Sequence, residues 1–242
     1  MKRFLLLALP IAIIGCDGIH VGLGHGFGPE TKGNGKPKEE SRTVGEYDKV
    51  IVGSAFNVEA SEGKLGPIKV SADSNLLPII KTEVKNRTLK VWIKGSMTTS
   101  SPLKLTLSTP SIKGFEASGA THVNLNLNSK HDLALGASGA SDIKVNGDLI
   151  DLSCDLSGAS RATFTTPSLT NLTANLSGAS GLNFAGSVTS LNAELSGAST
   201  IKGRMHGNKV KVRLSGGSSS SLGKFTNVDK EATGGSSVDF GS

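Results

Sequence analysis

The chain has 242 residues, of which 31 are glycine and only 4% are aromatic. Its formal net charge is +6, but the basic residues are interspersed with acidic ones. Because nucleic-acid-binding proteins need clustered basic residues and stacking aromatic ones, we expect no nucleic-acid partner. Short stretches alternate Val, Ile, Leu or Thr with polar residues, which is typical of β-strands and argues against a mainly helical fold.

Residues 1–15 form a candidate signal peptide. A basic pair precedes an apolar stretch at residues 4–14. That stretch is shorter than the roughly 20 residues of a transmembrane helix, so we expect a cleaved secretory signal. Residues 13–16 read IIGC, which resembles the bacterial lipobox. The resemblance implies acylation of Cys16, and hence a membrane partner through a lipid anchor.

The second cysteine, Cys154, has no intrachain partner if Cys16 carries lipid, so no disulfide is expected. Cys154 alternates with Leu152 and Leu156, and the equivalent position two repeats later is Ala193. The pattern predicts a small buried core residue rather than a reactive thiol.

Residues 16–45 contain many Gly, Pro, Lys and Glu residues and lack periodicity. Such a composition is typical of a flexible tether that buries no core. His20 and His25 lie within this segment, but two isolated histidines are too few for a metal site. We therefore expect no metal.

The strongest signal is a tetrapeptide, Ser-Gly-Ala-Ser or a close variant, that occurs seven times with its glycines 18 to 20 residues apart. An alternating strand precedes each copy, and a second short strand follows it and ends in a looser turn. The corner glycines are Gly119, Gly139, Gly158, Gly178, Gly197, Gly216 and Gly234.

This repeat predicts an all-β fold, a parallel β-helix with coils of about 19–20 residues. A series of hairpins would place similar turns at every corner. Here one corner is nearly invariant and the other is variable, as expected if each invariant corner stacks on its copy one rung away. Glycine supplies the bend, and the alanine beside it leaves room for the neighbouring rung. With rungs about 4.8 Å apart, seven coils give a column of roughly 30–35 Å.

Residues 46–242 are predicted to form a single β-helix domain, in which 46–116 are a variant N-terminal section and 117–242 the regular repeats. The charged stretch 81–94 suits an exposed sheet edge. Phe240 is positioned to cover the last coil. Strand patterns in the variant section occur at Val50–Val52, Phe56–Val58, Ile68–Val70, Leu89–Ile93 and Leu103–Leu107.

The hydroxyl residues that end the tetrapeptides have two interpretations. They satisfy backbone groups at the corner, as serine commonly does in turns, or they form an exposed polar ladder that binds a ligand. We favour the first. The residues concerned include Ser141, Ser160, Ser180, Ser199 and Ser218.

A carbohydrate-active enzyme would need two carboxylates that face one cleft. Asp155 and Glu194 occupy equivalent outward positions two rungs apart, which corresponds to about 9.6 Å. No long loops flank them, so surface charge is the better interpretation, and we expect neither catalytic residues nor a cofactor. The carboxylates considered are Asp142, Asp148, Asp151, Asp155 and Glu194.

The lipobox, the strand patterns of the variant section and the serial Ser-Gly-Ala-Ser corners together resemble the DUF2807 family, labelled putative auto-transporter adhesin, head GIN domain. The resemblance covers about residues 46–240. It implies a right-handed β-helix in a cell-envelope lipoprotein, without catalytic residues. We expect the anchor to lie in the outer membrane, with the protein on its surface or its periplasmic face. The expected function is that of an adhesin or binding scaffold for a glycan or an envelope protein. The alternatives are a carbohydrate-active β-helix enzyme and a structural or sensing module with a protein partner.

Overall fold

The computed structural model of the protein describes residues 30–166 and 168–241. Most of them lie in strands that form stacked parallel coils, so the predicted parallel β-helix is confirmed. The predicted signal peptide and Cys16 lie outside the described residues. No helix in the described ranges is long and apolar enough to cross a membrane.

The N-terminal section contains nine strands and one 3₁₀ turn at Leu77–Ile79. The strands are β1 (Thr31–Lys32), β2 (Pro37–Arg42), β3 (Lys49–Val52), β4 (Phe56–Glu62), β5 (Ile68–Asp73), β6 (Ile80–Lys85), β7 (Thr88–Ile93), β8 (Met97–Thr98) and β9 (Leu103–Thr109).

The regular section contains seven coils, and each coil consists of two strands joined by a tetrapeptide corner. The strands are β10 (Gly114–Ala117), β11 (His122–Asn126), β12 (His131–Ala137), β13 (Asp142–Asn146), β14 (Leu149–Leu156), β15 (Arg161–Thr165), β16 (Ser168–Leu176), β17 (Gly181–Phe184), β18 (Gly186–Leu195), β19 (Thr200–Lys202), β20 (Met205–Leu214), β21 (Ser219–Ser221), β22 (Phe225–Ala232) and β23 (Ser237–Asp239).

Two large sheets form the walls of the column. The ten-stranded sheet has the order β22-β20-β18-β16-β14-β12-β10-β3-β7-β6, and the eleven-stranded sheet has the order β2-β5-β9-β4-β11-β13-β15-β17-β19-β21-β23. In every regular coil the corner carries the chain from the ten-stranded to the eleven-stranded sheet. Inward side chains of both sheets alternate with outward ones and enclose a single apolar core.

The core consists of columns of equivalent residues. Leu135, Cys154, Ala174 and Ala193 follow one another in register along the ten-stranded sheet. Cys154 is fully buried and free, and burial raises the pKa of its thiol well above the ordinary value. The prediction that Cys154 is a small core residue is confirmed.

The tetrapeptide corners stack closely on one another. All seven corner glycines have φ between +69° and +82°, a conformation that other residues resist. The Ala179 N–H donates to the Gly158 carbonyl oxygen at 2.7 Å, so the backbone ladder continues through the corner. A Cβ atom on Gly178 would lie 2.7 Å from that same oxygen. Each stacked corner therefore needs glycine both for its conformation and for the close approach of its neighbour.

The hydroxyl groups of the corners are buried rather than displayed. The Ser160 Oγ donates to the Ser157 carbonyl oxygen at 2.7 Å and lies 3.2 Å from the Ala137 carbonyl oxygen. The idea of an exposed polar ladder is therefore wrong, because these side chains point into the corner and satisfy its backbone. At most 1% of each residue is exposed for Ser141, Ser160, Ser180, Ser199 and Ser218.

The N-terminal section adds two further coils and a cover. The β3–β4 coil stacks on β10–β11, and the β7–β9 coil stacks beyond it, all in parallel pairing. Strands β2, β5 and β6 pair antiparallel and close this end of the column. Strand β6 is the edge of its sheet and carries Lys81, Glu83 and Lys85, as expected for the charged stretch 81–94.

The predicted tether does not extend to residue 45. Residues 37–42 form β2 at the edge of the eleven-stranded sheet, where the Arg42 Nη1 donates to the Ile80 carbonyl oxygen at 2.7 Å. Gly33 is needed for a close approach, since a Cβ there would lie 1.9 Å from the Asp73 Oδ2. Hydrogen bonds from Ser101 and Ser100 hold the pKa of the Asp73 carboxyl below its usual range. Residues 30–45 therefore include part of the folded cover, and residues 16–29 lie outside the described ranges.

The opposite end of the column has a charged edge. Strand β22 is the last strand of the ten-stranded sheet, and its Lys230 is in register with the buried Val212 of β20. The Lys230 Nζ lies 5.9 Å from the centre of the Phe240 ring, and Phe240 packs against the core. An inward-pointing charge on an edge strand opposes the addition of another strand.

We expect Gly178→Val to destabilise the protein more than Ser180→Ala. Valine would have to adopt a left-handed conformation and overlap the Gly158 carbonyl oxygen, whereas alanine removes one buried hydroxyl, worth about 1 kcal/mol. Thermal unfolding followed by circular dichroism measures both. Equal melting temperatures would contradict the stacked-corner geometry.

We expect Lys230→Val to make the column self-associate through β22, since the last rung would then continue the apolar ladder of Val212. Size-exclusion chromatography with light scattering measures the molar mass. Lys209→Val, on the outward face of β20, is the matched control and should leave the mass unchanged. The same mass for both variants would show that Lys230 does not guard this edge.

Candidate functional site

A groove of about 740 Å³ runs along the outer face of the ten-stranded sheet. It crosses β12, β14, β16 and β18, where its floor is a column of small or polar outward residues in register. These floor residues are Ala134, Ser153, Thr173 and Asn192. Lys113, Lys130 and His131 line the groove as well.

A second polar row borders the floor. Asp151, Asn171 and Ser190 are in register on neighbouring rungs. The backbone N–H of Asn171 and its Nδ2 both donate to the Asp151 Oδ1, at 3.0 and 2.9 Å. Beside this row Ile150 is 39% exposed, which is unusual for a large apolar side chain in this structure. The groove thus combines hydrogen-bonding groups at rung spacing with one apolar contact.

The turn that carries Lys130 and His131 is held in place by a buried carboxylate. Glu62, at the end of β4, accepts the Asn128 N–H at 2.9 Å and the Ser129 N–H at 3.0 Å. It also accepts hydrogen bonds from the Ser129 hydroxyl at 2.7 Å and from the Ile112 N–H at 2.9 Å. The Glu62 Oε1 lies 2.5 Å from the His131 Nε2. Burial raises the pKa of Glu62, but these hydrogen bonds outweigh burial and lower the pKa to about 2. Glu62 therefore stays ionised and fixes the groove wall.

The structure does not bring the carboxylates considered in the sequence into one cleft. Asp155 and Glu194 are two rungs apart, as predicted, but Asn175 lies between them and its Nδ2 donates to the Asp155 Oδ1 at 2.7 Å. Asp142 projects from the eleven-stranded sheet instead. Asp151 lines the groove, whereas Asp148, Asp155 and Glu194 do not.

The described residues contain no candidate metal site. No group of three or more His, Cys, Asp or Glu side chains among them is placed to hold an ion. His20 and His25 lie outside the described residues.

The sequence did not predict the groove wall that Glu62 and His131 form. Glu62 and His131 are separated by 69 residues, and neither belongs to a repeated motif. No repeated or periodic signal in the sequence marks this contact.

The fold and groove define a class of protein, a two-sheeted parallel β-solenoid with a recess on an outer face. The family model DUF2807, described as putative auto-transporter adhesin, head GIN domain, matches residues 46–241. The chain belongs to this family. A search of curated proteins found no significant match.

Solved structures share this fold. A putative adhesin from Bacteroides fragilis is 16% identical with a TM-score of 0.75, and the match covers 86% of this chain and 98% of that one. A putative adhesin from Parabacteroides merdae is 16% identical with a TM-score of 0.76, covering 89% and 100%. A putative lipid binding protein from Parabacteroides distasonis is 18% identical with a TM-score of 0.69, covering 87% and 96%. At these identities the likeness shows the fold alone.

We expect Glu62→Gln to remove stability in a pH-dependent way. Because folding lowers the pKa of Glu62 from 4.5 to about 2, its ionised form stabilises the fold above about pH 4.5, and this contribution disappears as the pH falls towards 2. The shift corresponds to roughly 3 kcal/mol. Urea unfolding of wild type and variant at pH 7 and pH 3 measures the difference.

The difference in unfolding free energy should be larger at pH 7 than at pH 3. Glu83→Gln, on the exposed edge strand β6, is the control and should change stability little at either pH. A difference between wild type and Glu62→Gln that is the same at both values would show that the Glu62 charge is not what holds the turn.

Proposed function

We propose that the protein is a non-enzymatic binding module of the bacterial cell envelope, an adhesin-type lipoprotein anchored through Cys16 that binds a glycan in the groove of the ten-stranded sheet. Membership of an adhesin family supports the class of function and an envelope or extracellular location. The observation that carries the proposal is that hydrogen-bonding side chains stand in register on neighbouring rungs of the groove.

The lining suits a polymer rich in hydroxyl groups. Neighbouring rungs present amide, hydroxyl and carboxylate groups about 4.8 Å apart on a rigid sheet. A rigid array loses little conformational entropy on binding, so weak hydrogen bonds add up to useful affinity. Exposed Ile150 adds an apolar surface against which the carbon face of a sugar ring can pack. One structural neighbour is described as lipid-binding. An acyl chain would leave the hydrogen-bonding groups of Ser153, Thr173 and Asn192 on the groove floor unpaired, which favours a hydroxyl-rich chain.

The alternatives have less support. Hydrolysis of a polysaccharide needs two carboxylates across one cleft, and the equivalent pair Asp155 and Glu194 flanks Asn175 on an open face. A protein partner that adds a strand pairs with an exposed sheet edge, and charged side chains on the edge oppose that pairing. Both edge strands of the ten-stranded sheet carry such charges, β6 with Lys81, Glu83 and Lys85 and β22 with its inward Lys230.

The test compares two asparagines with the same local chemistry. Asn171 bonds Asp151 inside the groove, and Asn175 bonds Asp155 outside it. The chain carrying Cys16→Ser, which prevents acylation, is screened on immobilised bacterial and host polysaccharides, and the dissociation constants of any hits are measured.

We expect Asn171→Ala to weaken glycan binding about tenfold, as for the loss of one or two hydrogen bonds, and Asn175→Ala to leave it unchanged. Circular dichroism checks that both variants fold. Absence of any glycan ligand, or equal effects of the two substitutions, would count against the groove as the binding site.

A further inference from the structure

The outer face of the eleven-stranded sheet has a recess of its own, a notch of about 290 Å³ centred on Gly181. Gly181 is in register with Arg161 on one neighbouring strand and with Thr200 on the other. Asn183, two residues further along the same strand, is in register with Lys202. These five residues line the notch together with the corner residues Ala159, Ser160, Ala179 and Ser180. The groove lies on the opposite sheet, so this second recess is independent of it.

Gly181 opens the notch by lacking a side chain, and its backbone does not require glycine. It is not among the glycines with positive φ. A Cβ there would lie 3.5 Å from the Thr200 Oγ1 and 4.0 Å from the Arg161 Nε, which is ordinary contact. The equivalent positions of the neighbouring coils hold Arg161, Thr200 and, beyond them, Asp142 and Ser219. The glycine therefore leaves open a space that a side chain occupies on each of these other rungs.

The notch lies between two cations that have no acidic partner. Arg161 and Lys202 are exposed, and neither forms an ion pair or a side-chain hydrogen bond with another residue of the described ranges. Asp142 is one rung from Arg161 on the side away from Gly181, and the two form no ion pair. Arg161 and Lys202 belong to rungs two apart, about 9.6 Å, so their long side chains can reach a group seated over Gly181 from opposite sides.

We propose that this notch is an anion-binding subsite for a sulfate, phosphate or carboxylate group carried by an acidic polysaccharide. The planar guanidinium of Arg161 donates paired hydrogen bonds to an oxyanion, and the Lys202 ammonium supplies a second charge. The Thr200 hydroxyl adds a neutral donor at the rim.

A polysaccharide fits this face better than a membrane. The exposed large apolar residues of the described ranges, Ile150 and Val228, belong to β14 and β22 of the other sheet. A protein that lies on a bilayer buries apolar side chains beside its basic ones. This face offers charge and hydrogen bonds without such side chains.

The experiment uses the full chain with Cys16→Ser and measures binding to dextran sulfate, with neutral dextran as the matched polymer. About 0.15 M salt screens diffuse surface attraction. Gly181→Thr fills the notch without changing the charge, Arg161→Gln and Lys202→Gln each remove one charge at its rim, and Lys144→Gln removes one charge from the Lys202 column three rungs away. Thermal unfolding checks that each variant folds.

We expect dextran sulfate to bind and dextran not to bind. Gly181→Thr, Arg161→Gln and Lys202→Gln should each weaken binding by roughly tenfold or more, while Lys144→Gln stays within about twofold of wild type. If Gly181→Thr does not fold, the difference in dextran sulfate affinity between Lys202→Gln and Lys144→Gln is sufficient to test the subsite. Equal losses for those two lysines would overturn the subsite in favour of a diffuse basic surface. Binding to phosphatidylglycerol vesicles but not to dextran sulfate would overturn the choice of partner.

Discussion

The contact between successive corner glycines is the constraint on which the rest of the structure depends. Each of the seven glycines is in a left-handed conformation. In the five from Gly139 to Gly216, a Cβ atom would overlap the carbonyl oxygen of the preceding corner glycine. Every corner must therefore repeat the same backbone, and both strands that leave it fall into parallel register with those of the previous coil. Register then decides which side chains enter the core and which face outward.

The corners and the inward-facing residues determine the fold of the solenoid, so the outward-facing residues are free to vary. Both candidate sites lie where the outward-facing residues depart from the repeat. The groove lies above small floor residues such as Ala134, and its wall is a longer turn anchored on Glu62. The notch exists because Gly181 replaces a side chain on an otherwise filled rung. Both sites depend on a rigid framework that positions polar groups at rung spacing, which is how a solenoid builds a binding surface.

Local repetition made the fold predictable. The tetrapeptides located the corners, the alternation located the strands, and the repeat position of Cys154 identified it as core. The glycine-rich composition of residues 16–45 led to the prediction of a flexible tether. This was wrong at Gly33, which packs closely against Asp73 in the folded cover. The Glu62–His131 contact was not predictable, because it joins residues 69 apart that belong to no repeated motif. The notch does follow the repeat, since Gly181 occupies the position that Arg161 and Thr200 hold in the neighbouring coils, but only the structure shows that the missing side chain opens a recess.

The proposed function requires a lipid-anchored column that is displayed on the cell surface, with its outer faces available to ligands. Protease treatment of intact cells tests this most directly, with wild type compared with Cys16→Ala. If the protein is displayed in this way, wild type is digested on intact cells while internal markers survive, and Cys16→Ala is lost from the membrane fraction. Wild-type protein that stays protected until the envelope is opened would contradict display at the surface and place the binding faces in the periplasm.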